Sequence, residues 1–336
     1  MDIGVIGGGS WGTAQAKLLA ENGHQVTLWC HEPWLPDEIN EKHENTEFLP
    51  GHTLPESLRA TDDLGETVDG RDMILSVMPS HVVRDVMTQI ADSLPTGVPI
   101  VSATKGIEND TLMLVSDILE DVLPSRLHPY LAYLSGPSFA VEVADRQPTA
   151  VTVASYNHRL AEEVQQTFSN DYFRVYTSTD VIGVEVGGAA KNVIAIAAGA
   201  ASGMGLGHNA MAGVITRGLH EISRLAVNLG ANPLTLKGLS GMGDLVLTCT
   251  SGLSRNHTVG TKLGEGHSLD EILDDMNMVA EGVKTSKSVH DLAHDLDVEM
   301  PISQEVYRVL YQDKSAEKAV QDLMGRELKP EIRGYY

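Results

Sequence analysis

The stretch GVIGGGSWG near the start of the chain restricts the fold more than any other feature of the sequence. It sets Gly7, Gly9 and Gly12 in the spacing G-x-G-x-x-G, after a short apolar run and before a helical pattern. The first glycine permits a tight turn, the second lets a pyrophosphate approach the backbone, and the third lets the helix pack on the strand. The pyrophosphate would face unpaired N–H groups at the helix N-terminus. The motif predicts a dinucleotide-binding βαβ unit, and the alternative is an ordinary glycine-rich turn.

The first half of the chain alternates short β-branched runs with helical patterns, which predicts a mostly parallel sheet built from βαβ units. The predicted strands are Ile3–Ile6, Val26–Cys30, Met73–Val77, Ile100–Ala103, Leu131–Leu134 and Ala150–Ala154. The predicted helices between them include Gly12–Asn22, Val82–Ser93 and Thr111–Leu123.

From about Asp180 the pattern changes to long helical periods, separated by loops rich in Gly, Ser, Asn and Pro. The predicted helices cover residues 181–201, 209–229, 268–276, 281–295, 302–312 and 315–324. We therefore expect two domains, an α/β dinucleotide-binding domain at residues 1–180 and an all-helical substrate domain at residues 181–336. Because no long linker separates them, the two domains are expected to abut, with a cleft between them.

Charge and composition restrict the partners of the chain. The net charge is −22, from 46 acids against 24 bases, which disfavours nucleic acid and anionic membranes. The two cysteines are far apart, so we expect no disulfide and no zinc site, and a reducing cytosol fits. The apolar run Val193–Ala201 is about half the roughly 20 residues that span a bilayer, so no membrane insertion is expected.

Polar residues follow several of the predicted strands. Glu32 lies 20 residues past Gly12, where an acid often holds the ribose 2′-hydroxyl of NAD, but the preceding His31 could instead approach a 2′-phosphate. Lys105 and Ser138 follow two later strands, and ligands of open α/β sheets lie outside the carboxyl ends of the strands. We therefore expect Lys105 and Ser138 near the glycine loop. The alternative for His31 and Glu32 is a solvated strand end, and the alternative for Lys105 is an ordinary surface lysine.

The segment VEVGGAAKNVIAIAAGA is almost entirely glycine, alanine and β-branched aliphatic, but it has a lysine, Lys191, in its middle. Either this lysine reaches the solvent from a helix end, or it belongs to a site, with the small residues before it leaving room for a substrate. Asp244 and Thr248 are four residues apart, on one face if their segment is helical. In the following loop, Arg255 and its two neighbours can donate to phosphate oxygens. The alternative is a helix N-cap with an exposed arginine.

Together these segments resemble one family, the bacterial-type NAD(P)-dependent sn-glycerol-3-phosphate dehydrogenases. The matching stretches include VIGGGSWGTA, VMPSHV, ATKGIE, SGPSFAVEVA, VEVGGAAKNVIAIAAGA, LSGMGDLVLTCTSGLSRN and VAEGVKTSKSV. The resemblance implies a Rossmann-like domain followed by an all-α domain of the 6-phosphogluconate dehydrogenase-like type. It also implies reversible reduction of dihydroxyacetone phosphate by NAD(P)H to sn-glycerol 3-phosphate, in the cytoplasm, for phospholipid synthesis. No metal is implied, and a homodimer is one assembly that it allows.

The resemblance also assigns residues by position. Its cofactor contacts fall on Ser10, Trp11, His31, Lys105, Ala140, Arg255, Val279 and Glu281, beside the glycines of the loop. Its substrate contacts fall on Lys105, Gly136, Ser138, Lys191, Asp244, Ser254, Arg255 and Asn256, and its catalytic acid/base on Lys191. The chain departs from the family where many members carry arginine and it has His31 and Glu32. The bacterial form favours NADPH, so this departure bears on the cofactor preference.

Reduction of a ketone needs a group that stabilises and protonates the developing alkoxide. Apolar neighbours and a second cation, Lys105, would both lower the pKa of Lys191 and suit it to that task. We expect Asp244 and Thr248 to orient it. The alternatives are a related dehydrogenase of the 3-hydroxyisobutyrate or 6-phosphogluconate type, and a dinucleotide-sensing protein without turnover.

Overall fold

The computed structural model describes residues 1–274, 276 and 280–331, and the chain folds into two compact units. The first unit contains Met1–Lys105 and Met113–Val184, and the second contains Gly106–Leu112 and the chain from Glu185 onward. The sequence predicted a boundary between residues 180 and 181 and gave no sign that Gly106–Leu112 belongs with the second unit. Ser288 explains why that segment groups with the second unit, because its hydroxyl donates to the carbonyl of Ile107 at 3.1 Å.

The first unit is built on a mostly parallel sheet. The strands are β1 Asp2–Ile6, β2 Gln25–Trp29, β3 Glu44–Asn45, β4 Leu49–Thr53, β5 Leu58–Thr61, β6 Met73–Ser76, β7 Ile100–Ser102, β8 Leu131–Ser135, β9 Thr149–Ala154 and β10 Phe173–Ser178. Within the described residues the main sheet has eight strands in the order β10-β9-β8-β7-β6-β1-β2-β5, and β3 pairs with β4 in a separate antiparallel ribbon. In the main sheet only β8 and β9 pair antiparallel, among the strands that the structure describes.

Helices cover both faces of this sheet, because its central strands are apolar on both sides. Every residue of β6, β7 and β8 is buried, which is typical of strands packed between two helical layers. The helices are α1 Ser10–Glu21, α2 Leu35–Lys42, α3 Leu64–Val68, α4 Ser80–Ile90, α5 Val115–Val122, α6 Ala140–Ala144 and α7 His158–Phe168. Strands β1, β6, β7 and β8 run parallel, so their carboxyl ends meet at one edge of the sheet.

One predicted helix of the first unit begins later than the sequence pattern indicates. The pattern predicted a helix from Thr111 to Leu123, whereas α5 begins at Val115. Leu112 has φ +57°, a left-handed conformation that a right-handed helix cannot include. The observed helix therefore starts after this residue.

The second unit is helical throughout its described elements. Its α-helices are α8 Val181–Gly203, α9 His208–Asn228, α10 Asp244–Thr250, α11 Arg255–Gly264, α12 Leu269–Asp274, α13 Glu281–Asp295, α14 Pro301–Tyr311 and α15 Ala316–Met324, and the first turn of α8 still belongs to the first unit. By length and composition α8 could cross a membrane, but 83% of its most apolar window is buried inside the protein. Such burial is typical of a core helix.

Glycines allow α8 and α11 to pack closely. A Cβ added at Gly260 would lie 2.0 Å from the carbonyl oxygen of Ile196, and one at Gly199 would lie 2.0 Å from that of His257. Gly203 and Gly264 meet the opposite backbone in the same way. These contacts fix α11, and the residues at its N-terminus, against the helix that carries Lys191.

Candidate active site

The glycine loop of the first unit has the geometry that the motif predicted. Gly7 follows β1 with φ +125°, and a Cβ there would lie 2.4 Å from the carbonyl oxygen of Val77. A Cβ at Gly12 would lie 1.8 Å from the carbonyl oxygen of Gly7, so the start of α1 can pack against the loop only because this residue is glycine. At Gly9, by contrast, an added Cβ would meet nothing within 4 Å. The second glycine therefore borders open space.

The N-terminus of α1 is available to an anion. Gly9 is its N-cap residue and has no side chain to bond the first N–H groups, and Ser10 and Trp11 form the first turn. The amide groups of a helix start attract negative charge when no side chain caps them. The Nε1 atom of Trp11 is buried, and no hydrogen-bond partner for it lies among the described residues. Trp11 and Ala140, the first residue of α6, both pack against the small cluster of Ala14, Leu49 and Ala144.

Sequence reasoning missed Asn45, which contacts the glycine loop. It is fully buried in β3, and its Nδ2 donates to the carbonyl of Gly8 at 2.9 Å and to Oγ1 of Thr13 at 2.8 Å. Thr13 also donates to the Gly8 carbonyl, at 3.1 Å. An asparagine in a polar stretch 33 residues after Gly12 gives no sequence signal of this contact.

Three predicted residues of the first unit meet at the end of β8. The ammonium of Lys105 and the hydroxyl of Ser138 each donate to the carbonyl of Gly136 at 3.0 Å. Gly136 has φ +147°, and a Cβ there would lie 2.9 Å from the Cα of Val151. The position therefore requires glycine, and Lys105 is held beside the carboxyl edge of the sheet.

His31 and Glu32 follow β2. His31 is exposed, with its ring centroid 6.0 Å from that of Trp29, and Glu32 is half-buried. The backbone N–H of Leu35, at the start of α2, donates to the carbonyl of Glu32. An exposed imidazole at this strand end is open to a ligand.

In the second unit Lys191 is paired inside the protein. Its Nζ lies 2.7 Å from Oγ1 of Thr248 and 2.9 Å from Oδ1 of Asp244. All three residues are buried, and Asp244 and Thr248 lie one turn apart on α10. Lys191 therefore does not reach the solvent from a helix end. The sequence predicted that Asp244 and Thr248 orient this amine, and both lie within hydrogen-bond distance of its Nζ.

The expectation that the small residues before Lys191 leave room for a substrate is wrong at Gly187. A Cβ at Gly187 would lie 2.5 Å from the carbonyl oxygen of Ser240. The space beside Gly187 is filled by a π-helical turn, Leu239–Gly243, that leads into α10. Gly187 thus brings Asp244 close to α8 rather than admitting a ligand.

Ser254, Arg255 and Asn256 begin α11. Ser254 is its N-cap, because its Oγ accepts from the N–H of His257 at 3.2 Å, and Arg255 is exposed. The alternative that the sequence left open, a helix cap with an exposed arginine, thus describes the local structure.

Asn256 joins α11 to the start of α13. It is buried, and its Oδ1 accepts from the N–H of Gly282 at 2.9 Å. Glu281, the first residue of α13, interacts electrostatically with Arg255. The predicted contact Val279 lies outside the described residues.

Other features of the described chain contain none of the predicted residues. A surface cavity of about 840 Å³ in the first unit is lined by residues that include Glu21, His24, Arg146 and Tyr172. Both cysteines are buried, unpaired thiols, and burial raises the pKa of each to about 12. Among the described residues, no group of three or more His, Cys, Asp or Glu side chains could hold a metal ion.

Comparison with known families decides where the chain belongs. Residues 2–161 match the family described as NAD-dependent glycerol-3-phosphate dehydrogenase N-terminus, and residues 180–321 match its C-terminus. The chain belongs to the NAD-dependent glycerol-3-phosphate dehydrogenase family. The resemblance seen in the sequence is thereby confirmed, as is the oxidoreductase class that it implies.

Individual members of the glycerol-3-phosphate dehydrogenase family match nearly the whole chain. It is 56% identical over 329 residues to glycerol-3-phosphate dehydrogenase (NAD(P)+) of Citrifermentans bemidjiense, covering 98% of each chain. It is 54% identical over 331 residues to the enzyme of the same name from Leptospira biflexa, covering 98% of this chain and 99% of the relative. The crystal structure of glycerol-3-phosphate dehydrogenase from Coxiella burnetii is 39% identical, with a TM-score of 0.91, covering 97% of this chain and 99% of that one. The predicted fold class is confirmed.

Proposed function

We propose that this chain catalyses the reversible reduction of dihydroxyacetone phosphate by NAD(P)H to sn-glycerol 3-phosphate. The observation that carries the proposal is the buried Lys191, whose amine is held by Asp244 and Thr248. A proton donor fixed in this way is what a carbonyl reduction needs besides the hydride. The two relatives named above, which span the same length, carry the name of this activity.

The residues of the first unit fit an NAD(P) cofactor. The space beside Gly9 and the uncapped start of α1 suit a pyrophosphate, which Ser10 and Trp11 would help to bind. His31 would contact the adenosine end, and Lys105 and Ala140 the rest of the cofactor. From the second unit, we assign cofactor contacts to Arg255, Val279 and Glu281. When bound, the reduced nicotinamide supplies the hydride that turns the ketone carbon into a secondary alcohol.

In the proposed mechanism Lys191 is the general acid of the reduction and the general base of the reverse reaction. Its Nζ donates a proton to the carbonyl oxygen as the alkoxide develops, and takes it back in the reverse direction. Asp244 stabilises the ammonium, and Thr248 accepts a hydrogen bond from it, so that the amine keeps one orientation. Because Thr248 itself donates to the backbone carbonyl of Asp244 at 2.6 Å, its oxygen faces the lysine as an acceptor.

The phosphate of the substrate needs several donors. We assign it to Ser254, Arg255 and Asn256 at the start of α11, together with Lys105, Gly136 and Ser138. Arginine binds phosphate oxygens in a bidentate fork, and the N-terminus of α11 adds a favourable dipole. The net charge of −22 does not oppose this binding, because remote acids are screened beyond about 8 Å at physiological salt.

A substrate panel tests the proposed activity. We expect the reduced nicotinamide to be consumed with dihydroxyacetone phosphate, and formed with sn-glycerol 3-phosphate. Neither 3-hydroxyisobutyrate nor 6-phosphogluconate should support turnover. Preference for one of those two would assign the chain to a related dehydrogenase, and cofactor binding without turnover on any substrate would make it a sensor.

We further propose that the chain favours NADPH. The exposed imidazole of His31 supports this preference, because it can approach a 2′-phosphate at the end of β2. The ratio of kcat/KM with NADPH to that with NADH should exceed one and should fall in His31→Ala. In the matched variant Glu32→Gln it should not fall. A ratio that is unchanged in His31→Ala would remove His31 from the cofactor site.

We propose a cytoplasmic enzyme whose product serves as the backbone for phospholipid synthesis, and a homodimer as its assembly. The two buried thiols support a reducing compartment. Light scattering during gel filtration would give the mass, and a mass near 36 kDa would rule out the dimer.

A further inference from the structure

Both ends of the Asn45 side-chain amide are hydrogen-bonded, and the nitrogen end binds the glycine loop. Its Nδ2 donates to the Gly8 carbonyl and to Thr13 Oγ1, and its Oδ1 accepts from the N–H of Phe48 at 3.0 Å. The opposite orientation of the amide would place N–H against N–H, so the contacts themselves assign its two ends. The residue is fully buried, and no solvent competes for these bonds.

The Gly8 carbonyl thus receives two donors, from Asn45 and from Thr13. Since the peptide bond is planar and trans, the C=O and N–H of the Gly8–Gly9 peptide point in opposite directions. Because Asn45 holds the Gly8 carbonyl toward the β3–β4 ribbon, the N–H of Gly9 points away from the ribbon. An added Cβ at Gly9 meets nothing within 4 Å, so the loop is open there.

We propose that Asn45 is a positioning residue for the cofactor: it locks the Gly8–Gly9 peptide so that the Gly9 N–H and the first turn of α1 face the pyrophosphate. This inference rests on the proposed function, since it needs a dinucleotide at the loop. Three consecutive glycines make the lock necessary. Glycine rotates more freely than any other residue, and without an anchor this peptide could turn over and remove its donor from the ligand.

Cofactor binding in the absence of substrate tests the proposal. The dissociation constants of NADPH and NADH are measured by fluorescence for the unmodified chain, Asn45→Ala, Thr13→Val and Thr13→Ser. Loss of a hydrogen bond to the Gly8 carbonyl should weaken binding by roughly tenfold in Asn45→Ala and Thr13→Val. Thr13→Ser keeps the hydroxyl and should bind like the unmodified chain. The KM for dihydroxyacetone phosphate at saturating cofactor should change by less than about twofold.

Asn40 provides the matched control in the same unit. Its side chain also makes two hydrogen bonds to backbone, with the N–H and C=O of Ala60 in β5, away from the glycine loop. Asn40→Ala should leave the dissociation constants unchanged even if it lowers the melting temperature. Equal weakening in Asn40→Ala, or unchanged binding in Asn45→Ala, would overturn the positioning role.

Three further outcomes are decisive. If Asn45→Ala does not fold, Thr13→Val decides alone, and unweakened binding in that variant contradicts the proposal. If the unmodified chain binds neither cofactor, the proposed function fails and this inference fails with it. If the unmodified chain binds and reduces dihydroxyacetone phosphate while the variants bind equally well, only the role of Asn45 is lost.

Discussion

Lys191 is a buried lysine on α8, where most of the residues around it in sequence are small or aliphatic. Removing an ammonium from water costs several kcal/mol unless a close anion and hydrogen bonds offset the loss. Asp244 supplies the anion at 2.9 Å, and Thr248 supplies an acceptor at 2.7 Å. Apolar residues of similar size often stabilise a core as well as such a pair does. The presence of a buried lysine on α8 therefore favours a chemical role for its amine over a structural one.

Glu221 is another buried titratable residue, and its contacts are structural. Its carboxylate accepts from the N–H groups of Ile302 and Ser303, so it caps the start of α14 from α9. Burial raises its pKa to about 7, although these hydrogen bonds and the charge of Arg224 act in the opposite direction. The ordinary value for glutamate is 4.5. The folded chain therefore holds this proton more tightly than the unfolded chain does.

The sign of the resulting pH dependence follows from this difference. The contribution of Glu221 to the free energy of unfolding is fully present below about pH 4.5 and is lost as the pH rises to about 7. Glutamine imitates the protonated form at every pH. The free energy of unfolding of Glu221→Gln should therefore rise relative to that of the unmodified chain over this pH range. We expect a change on the order of 3 kcal/mol, from urea unfolding at several pH values. The exposed Glu120→Gln is the control, and an equal response in both variants would contradict this account of Glu221.

At the scale of elements, the sequence predicted those with strong periodicity. Strands β1, β2, β6, β7, β8 and β9 and helices α8, α9, α13, α14 and α15 lie within a few residues of their predicted bounds. The ribbon β3–β4 was missed because its residues are mostly polar and alternate with Pro and Gly, so neither strand shows a period. The edge strand β5 has only four residues, too few for its pattern to be recognised.

The sequence predicted those residues of the candidate site whose type or spacing is unusual in their segment. The glycine loop and Lys191 stand out in the sequence, and so do the residues that pair with Lys191. Asn45 does not, because its contact with Gly8 depends on how the β3–β4 ribbon folds back on the loop. The hydrogen bond between Asn256 and Gly282 likewise needs the positions of helices that are distant in sequence. The capping role of Ser254 is local, and the sequence had left it open as an alternative.

The close packing of α8 and α11 gives an element-scale prediction. Gly260→Ala would place a Cβ 2.0 Å from the backbone of Ile196, so the helices must separate. We expect it to lower the free energy of unfolding by about 1–3 kcal/mol. Gly213→Ala on α9 is the control: its Cβ meets nothing within 4 Å, and alanine should stabilise that helix by about 0.5–1 kcal/mol. Urea unfolding of both variants measures these values, and two changes of the same sign would contradict the packing argument.

At the scale of the whole molecule, the excess of acids should make stability depend on salt. Like charges repel in the compact state, and salt shortens the screening length from about 10 Å at 0.1 M to about 3 Å at 1 M. With a net charge of −22, the melting temperature at pH 7.5 should rise over this range of potassium chloride. At pH 5.5, nearer the isoelectric point of about 4.8, the rise should be smaller. A melting temperature independent of salt at pH 7.5 would show that the acids are already neutralised by their neighbours.

The central claim is that Lys191 is the acid/base of an NAD(P)-dependent reduction of dihydroxyacetone phosphate. The most direct measurement is kcat/KM for this substrate with NADPH, in the unmodified chain, in Lys191→Ala and in the exposed-lysine control Lys237→Ala. We predict that Lys191→Ala loses a factor of about 10²–10⁴, as expected for a general acid, while it still binds NADPH. Lys237→Ala should retain full activity. Activity of Lys191→Ala within about tenfold of the unmodified chain, or about 1.4 kcal/mol of barrier, would contradict the claim.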